Sequence, residues 1–214
     1  MSNNIEITLP DGFIVFISGV PGVGKTTISY ELLKKYNKFR IIEETDLIRE
    51  ILRGYNEYLT IKFGDDITFA LDKINITDHN KLLSLDEAKT QCKIMKSSYE
   101  HIIKRQQRKG ISSIINGVHI IPEILINIAE NIVFINLYVT NENKIQERIK
   151  KRNPNSYMLT YIPFIFQTNN DLYAITKKLI PKFKNVFNVN VTDLDVNETV
   201  QEIVNCIRKM QAEN

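Results

Sequence analysis

Residues 13–26 read Phe13-Ile14-Val15-Phe16-Ile17-Ser18-Gly19-Val20-Pro21-Gly22-Val23-Gly24-Lys25-Thr26, and this stretch decides the fold. Phe13 to Ile17 is an apolar run, the mark of a buried strand. Gly19 to Thr26 follows the pattern G-x-x-x-x-G-K-[ST], and a helical stretch from 24 to 35 comes next. Strand, loop and helix in that order are the setting in which the pattern carries a mechanism. Gly19, Gly22 and Gly24 let the backbone bend and bring N–H groups toward phosphate oxygens. The helix start adds partial positive charge. Lys25 can reach the β- and γ-phosphates of a nucleoside triphosphate, and Thr26 can ligate Mg²⁺.

Working outward, strands and helices alternate. Phe39 to Ile42 predicts a second strand that leads into Glu43-Glu44-Thr45-Asp46. A helix from about 46 to 53 is expected to stop at Gly54. Residues 55–83 hold only brief apolar clusters. Ser84-Leu85-Asp86-Glu87 reads as a capping box, and Gly110 as the stop of a long helix. Its stripe is Leu85, Ala88, Cys92, Met95, Tyr99, Ile102 and Gln106, at steps of three and four. Strands are expected again at 111–115, 132–139 and 186–191. Helices are expected at 140–152, at 157–180, and after the capping sequence Asp195-Val196-Asn197-Glu198. Such alternation predicts an α/β chain with a parallel five-stranded sheet, helices on both faces, and sites at the carboxyl ends of the strands.

A length of 214 residues suits one domain, or one domain with an inserted lobe, and 43% hydrophobic composition is enough for a core. The net charge of +3 is too even for a typical nucleic-acid binder. The basic cluster Lys104, Arg105, Arg108 and Lys109 falls in the last turns of a helix, where cations suit the dipole. Cys92 and Cys206 fall on apolar helical positions and read as buried free thiols, and no Cys/His spacing suggests zinc. The opening MSNNIEITLPDG lacks a basic-then-apolar leader pattern, and no apolar run approaches the ~20 residues of a membrane span. A cytoplasmic protein is the expectation.

A phosphate loop alone does not separate a kinase from a GTPase or a motor. Base-reading sequences of the N-K-x-D type are absent, because Asn143-Lys144 continues as Ile145-Gln146. Asp46, at the end of the second strand, could orient or deprotonate an acceptor hydroxyl, hold Mg²⁺ through water, or simply cap a helix. Arg49, one turn on, can clamp an anionic group or stand as a surface charge. Arg148 and Arg152 form an i, i+4 pair with Lys151 nearby, suited to balancing charge on a transferring phosphoryl group. His119 ends the third strand beside Asn116 and Gly117, where it either binds substrate or packs as a neutral core residue.

Two segments resemble a known family. Thr45-Asp46-Leu47-Ile48-Arg49-Glu50-Ile51-Leu52-Arg53 resembles the Thr-Asp-x-Ile-Arg-Glu-x-x-Arg segment of 2-phosphoglycerate kinases. Ser112-Ser113-Ile114-Ile115-Asn116-Gly117-Val118-His119-Ile120-Ile121-Pro122 resembles their Ser-x-Ile-Ile-Glu-Gly-Val-His-Leu-Val-Pro. The resemblance covers about residues 12–190. It implies a three-layer α/β/α P-loop kinase fold of the nucleotide-monophosphate-kinase type, in one domain over 1–214. An acceptor-binding helical region would span 55–105 and a lid 141–165.

It also implies phosphorylation of a hydroxyl of a small phosphorylated acid with ATP and Mg²⁺. Gly19, Val20, Pro21, Gly22, Val23, Gly24, Lys25, Thr26 and Thr27 would hold ATP, and Thr26 the metal. Asp46, Arg49, Arg53, Gly117 and His119 would line the acceptor site. Lys25, Asp46, Arg148 and Arg152 would carry the transfer. Asn116 stands where the family has Glu, and Phe164-Ile165-Phe166-Gln167 lacks the arginine of the family's Ile-Arg-x-Ile-Gln stretch. The partner expected is a small phosphorylated acceptor, with nucleic acid and membrane not expected and a homodimer one assembly the reading allows. Two other readings keep the phosphate loop: a nucleoside, nucleotide or polynucleotide kinase, and a nucleotide-binding sensor or scaffold without transfer.

Overall fold

The computed structural model describes residues 8–63 and 84–212. Five strands form one sheet: β1 (Ile14–Ser18), β2 (Phe39–Glu44), β3 (Ser112–Gly117), β4 (Ile132–Tyr138) and β5 (Val186–Asn190). Their order is β2-β3-β1-β4-β5, and every pairing is parallel. The helices are α1 (Lys25–Lys35), α2 (Thr45–Phe63), α3 (Leu85–Arg108), α4 (Pro122–Leu125), α5 (Glu142–Arg152), α6 (Ile162–Leu179) and α7 (Val196–Ala212), with a 3₁₀ turn at Tyr157–Tyr161 before α6. α1 and α7 pack together on one side of the sheet, and α3, α4 and α6 pack together on the other.

Both faces of β1 are buried along its whole length, which is why its sequence is a continuous apolar run. Phe16 stacks on Phe134 with ring centroids 4.8 Å apart, and meets Tyr99 of α3 edge-on at 6.4 Å. Burying one such side chain contributes about 1.5–3 kcal/mol. The α3 stripe is buried at Ala88, Cys92, Met95, Tyr99, Ile103 and Gln106, close to the sequence reading. Both helix caps read from the sequence are present. Ser84 Oγ accepts from the Glu87 amide, while Asp195 and Glu198 cap each other's amides at 2.8 Å. No helix among the described residues is long and apolar enough to cross a membrane.

One local expectation changes. The helix expected to end at Gly54 runs on to Phe63. Gly54 does not adopt the left-handed conformation of a helix stop, and an interior glycine costs only about 1 kcal/mol. In the sheet, β3 lies between β1 and β2. Part of the 55–105 region, residues 64–83, lies outside the described residues.

Candidate active site

The phosphate loop leaves β1 and closes on α1 through Gly24. This residue is the helix N-cap at φ 95°, a left-handed geometry that glycine adopts without strain. No side chain caps α1, so its first amides stay open to an anion. The Lys25 ammonium donates to the Val20 carbonyl at 3.0 Å, folded back over its own loop. Burial pushes Lys25 down to about 8; the Asp46 and Glu44 carboxylates raise it, and the Arg152 guanidinium lowers it further. Thr26 and Thr27 are exposed at the loop's rim.

A cavity of about 690 Å³ opens over this loop at the carboxyl ends of the strands. Pro21 through Ile28 form its floor, Glu44, Asp46 and Asn116 one wall, and Lys151, Arg152 and Val191 another. A larger hollow of about 1160 Å³ lies at the opposite, amino ends of the strands, against Phe13, Ile132 and Asn185. Chemistry favours the smaller one: it holds the phosphate loop and sits at the strand ends where α/β sheets bind ligands.

The acceptor-side wall is built by pairing. Glu44 ends β2 opposite Asn116 of β3. Neighbouring Glu43 is tied elsewhere, accepting from Gln106 at 3.3 Å. Asn116 Nδ2 donates to Ser29 Oγ, which donates to the Lys25 carbonyl, so the end of β3 is fastened to α1. Gly117 follows, and a Cβ there would lie 1.6 Å from Thr45 Oγ1. Only glycine lets α2 begin this close to the sheet. Asp46, on the first turn of α2, is exposed toward the cavity, with Oδ1 3.7 Å from Arg49 Nη2.

The proposed site residues separate into two groups. Pro21, Gly22, Val23, Gly24, Lys25, Thr26, Thr27, Asp46, Gly117, Arg148 and Arg152 meet at the cavity, while Gly19 and Val20 are buried and do not line it. Arg49 and His119 lie behind Asp46, 3% and 0% exposed. Arg53 is held by Glu50 at 3.1 and 3.2 Å. Arg148 is not aimed with Arg152. Its guanidinium donates to the Val191 and Thr192 carbonyls of the β5–α7 loop, which fixes it on the cavity's far side. Burial there lowers its pKa, opposed by Asp193 and Glu147. Reading the sequence missed that far wall, formed with Leu194, Val196 and Thr199. Its signal was the capping box that follows β5, which marks a strand's carboxyl end.

The donors fit a hard divalent cation. The Thr26 hydroxyl and the Glu44 and Asp46 carboxylates are oxygen ligands facing one cavity. Among the described residues, no group of three or more His, Cys, Asp or Glu could hold a metal alone. A Mg²⁺ here would be completed by substrate phosphates, its usual mode.

No family model matches the chain. It is 27% identical to the 2-phosphoglycerate kinase of Pyrococcus horikoshii, over 94% of this chain and 65% of that protein. It is 28% identical to the 2-phosphoglycerate kinase of Methanothermobacter thermautotrophicus, over 65% of this chain and 47% of that one. The chain thus spans less than two thirds of these relatives' length. Among solved structures it is similar to a gluconokinase from Sinorhizobium meliloti, with a TM-score of 0.57 and 11% identity over 95% of this chain and 96% of that one. It is also similar to a shikimate kinase from Bacteroides thetaiotaomicron, with a TM-score of 0.50 and 13% identity over 92% and 98%. At such identities the likeness concerns fold. In sequence the chain resembles 2-phosphoglycerate kinases, and its fold is the three-layer α/β/α fold of P-loop kinases.

Proposed function

We propose that this protein moves the γ-phosphoryl group of ATP to a hydroxyl of a small phosphorylated metabolite, with 2-phosphoglycerate the first candidate. One observation carries the reading: Lys25, Thr26, Asp46 and Arg152 converge on a single cavity over the phosphate loop. The Asp46 carboxylate is placed to serve an acceptor hydroxyl, and Arg152 adds positive charge beside Lys25 where a phosphoryl group would move.

The open amides of the loop and of α1 hold the phosphates of the donor. Lys25 leaves the Val20 carbonyl and turns to the phosphate oxygens. Asp46 accepts the acceptor's hydroxyl proton as the new O–P bond forms and the bond to the β-phosphate oxygen breaks. Arg152 and Lys25 balance the charge spread over the moving group. Arg148, fixed to the β5–α7 loop, walls the donor's nucleoside end. Thr26 with Glu44 or Asp46 would hold Mg²⁺, which would neutralise phosphate charge. Residues 141–165 close as a lid and exclude water, limiting hydrolysis.

An acceptor panel with γ-labelled ATP tests this reading. Label should pass to 2-phosphoglycerate or a similar phosphorylated hydroxy acid. Transfer to nucleosides or 5′-hydroxyl DNA alone would move the protein to the nucleoside and polynucleotide kinases. Tight ATP binding without transfer to any acceptor would make it a sensor or scaffold.

A further inference from the structure

Thr45 and His119 stand 74 residues apart and meet side chain to side chain, Thr45 Oγ1 to His119 Nδ1 at 2.9 Å. Both are fully buried. The contact follows from the sheet. β2 and β3 end paired, Glu44 opposite Asn116, so the residues after each strand leave the sheet as neighbours. Thr45-Asp46 comes from one strand, and Gly117-Val118-His119 from the other. Gly117 supplies the room, since any Cβ there would strike Thr45.

The arrangement bears on Asp46. Its Oδ1 lies 3.9 Å from His119 Nδ1 and 3.7 Å from the buried Arg49 guanidinium. The rest of the side chain is open, 68% exposed, and faces the cavity. Both of these contacts fall on Oδ1, on the inward side of the carboxylate. A carboxylate on the first turn of a helix would otherwise spread over several rotamers, and transfer depends on its aim.

We propose that the Thr45–His119 hydrogen bond, seated on Gly117, is a latch that fixes the first turn of α2 and so aims Asp46 at the acceptor hydroxyl. His119 is then a positioning residue that acts through Thr45 and does not touch the acceptor. The inference rests on the proposed reading of Asp46 as the group facing the acceptor. It also gives a physical reason for the two resembling segments to occur together: they are the two sides of one hydrogen bond.

The test separates aim from mere stability. Thr45→Val removes the hydroxyl and keeps the shape, Thr45→Ser keeps the hydroxyl, and His119→Ala removes the partner. With ATP and 2-phosphoglycerate, Thr45→Val and His119→Ala should lower kcat about 10- to 100-fold. Affinity for a fluorescent ATP analogue should stay within about twofold, and Thr45→Ser should keep kcat within about threefold. A kcat of Thr45→Val within about threefold of wild type overturns the latch. So does a loss of nucleotide affinity as large as the loss of kcat, which is what a generally loosened fold gives. His119→Ala is judged by the same outcomes if Thr45→Val does not fold.

If wild type passes no phosphoryl group to 2-phosphoglycerate, the proposed acceptor fails and amide exchange decides the latch. Amides 44–50 should exchange at least about tenfold faster in Thr45→Val than in wild type or Thr45→Ser, with amides 13–28 unchanged. Equal exchange at 44–50 overturns the latch.

Discussion

The two sides of the cavity are built at different ranges along the chain. The donor side is local: Gly19 to Thr27 is one continuous stretch of loop and helix start, and Lys25 bonds Val20 only five residues away. The acceptor side is assembled from distant pieces. Thr45 meets His119, and Asn116 is tied to Ser29 across 87 residues. A local loop keeps its geometry while its backbone is intact. A long-range wall depends on strand order and on side chains that merely support others.

Breaking the donor side should have the largest effect. Lys25→Ala removes the enclosed ammonium and should lower kcat/KM for ATP by about 10³-fold or more, with the fold retained on circular dichroism. A tenfold loss would mean the loop amides alone hold the phosphates. Gly117→Ala attacks the other side through packing. Its methyl must displace Thr45, costing at least about 1–3 kcal/mol and lowering Tm by roughly 2–4 °C per kcal/mol. An unchanged Tm would show that α2 does not rest against β3 as described.

The sequence revealed these two sides unequally, for the same reason. The phosphate loop, the α3 stripe and both helix caps could be read because each is set by neighbours within a few residues. Strand order could not. Parallel pairing through crossover helices leaves no local mark, so β3 between β1 and β2 came only with the fold. The role of His119 was open between substrate contact and core packing, and its burial favours the second. Arg148 and Arg152 share a helix face, as their spacing requires. The carbonyls that take Arg148 away belong to residues 191 and 192, more than forty positions on.

That difference between the two arginines can be sharpened. Arg152→Ala should lower kcat by about tenfold or more, because it removes charge near the loop lysine. Arg148→Ala should act mainly on KM for ATP, by about three- to tenfold, because it loosens the nucleoside wall. Equal effects on kcat would return the pair to a shared role at the phosphoryl group. The smallest effect is expected far from the cavity. Burial pushes Cys92 up to about 12 and half-buried Cys206 up to about 11. Both should stay protonated at pH 8, and the native protein should react with a thiol reagent at least about 10²-fold slower than the unfolded chain. Rapid labelling of folded protein at pH 8 would contradict that packing.

Asp46 is where the two sides meet, and Asp46→Asn tests the account most directly. The amide keeps the shape and loses the base. Transfer from ATP to the acceptor should fall about 10²-fold or more in kcat, with affinity for an ATP analogue within about twofold of wild type. A kcat within threefold of wild type would contradict the assignment of Asp46 and, with it, the reading of this cavity as a phosphoryl-transfer site.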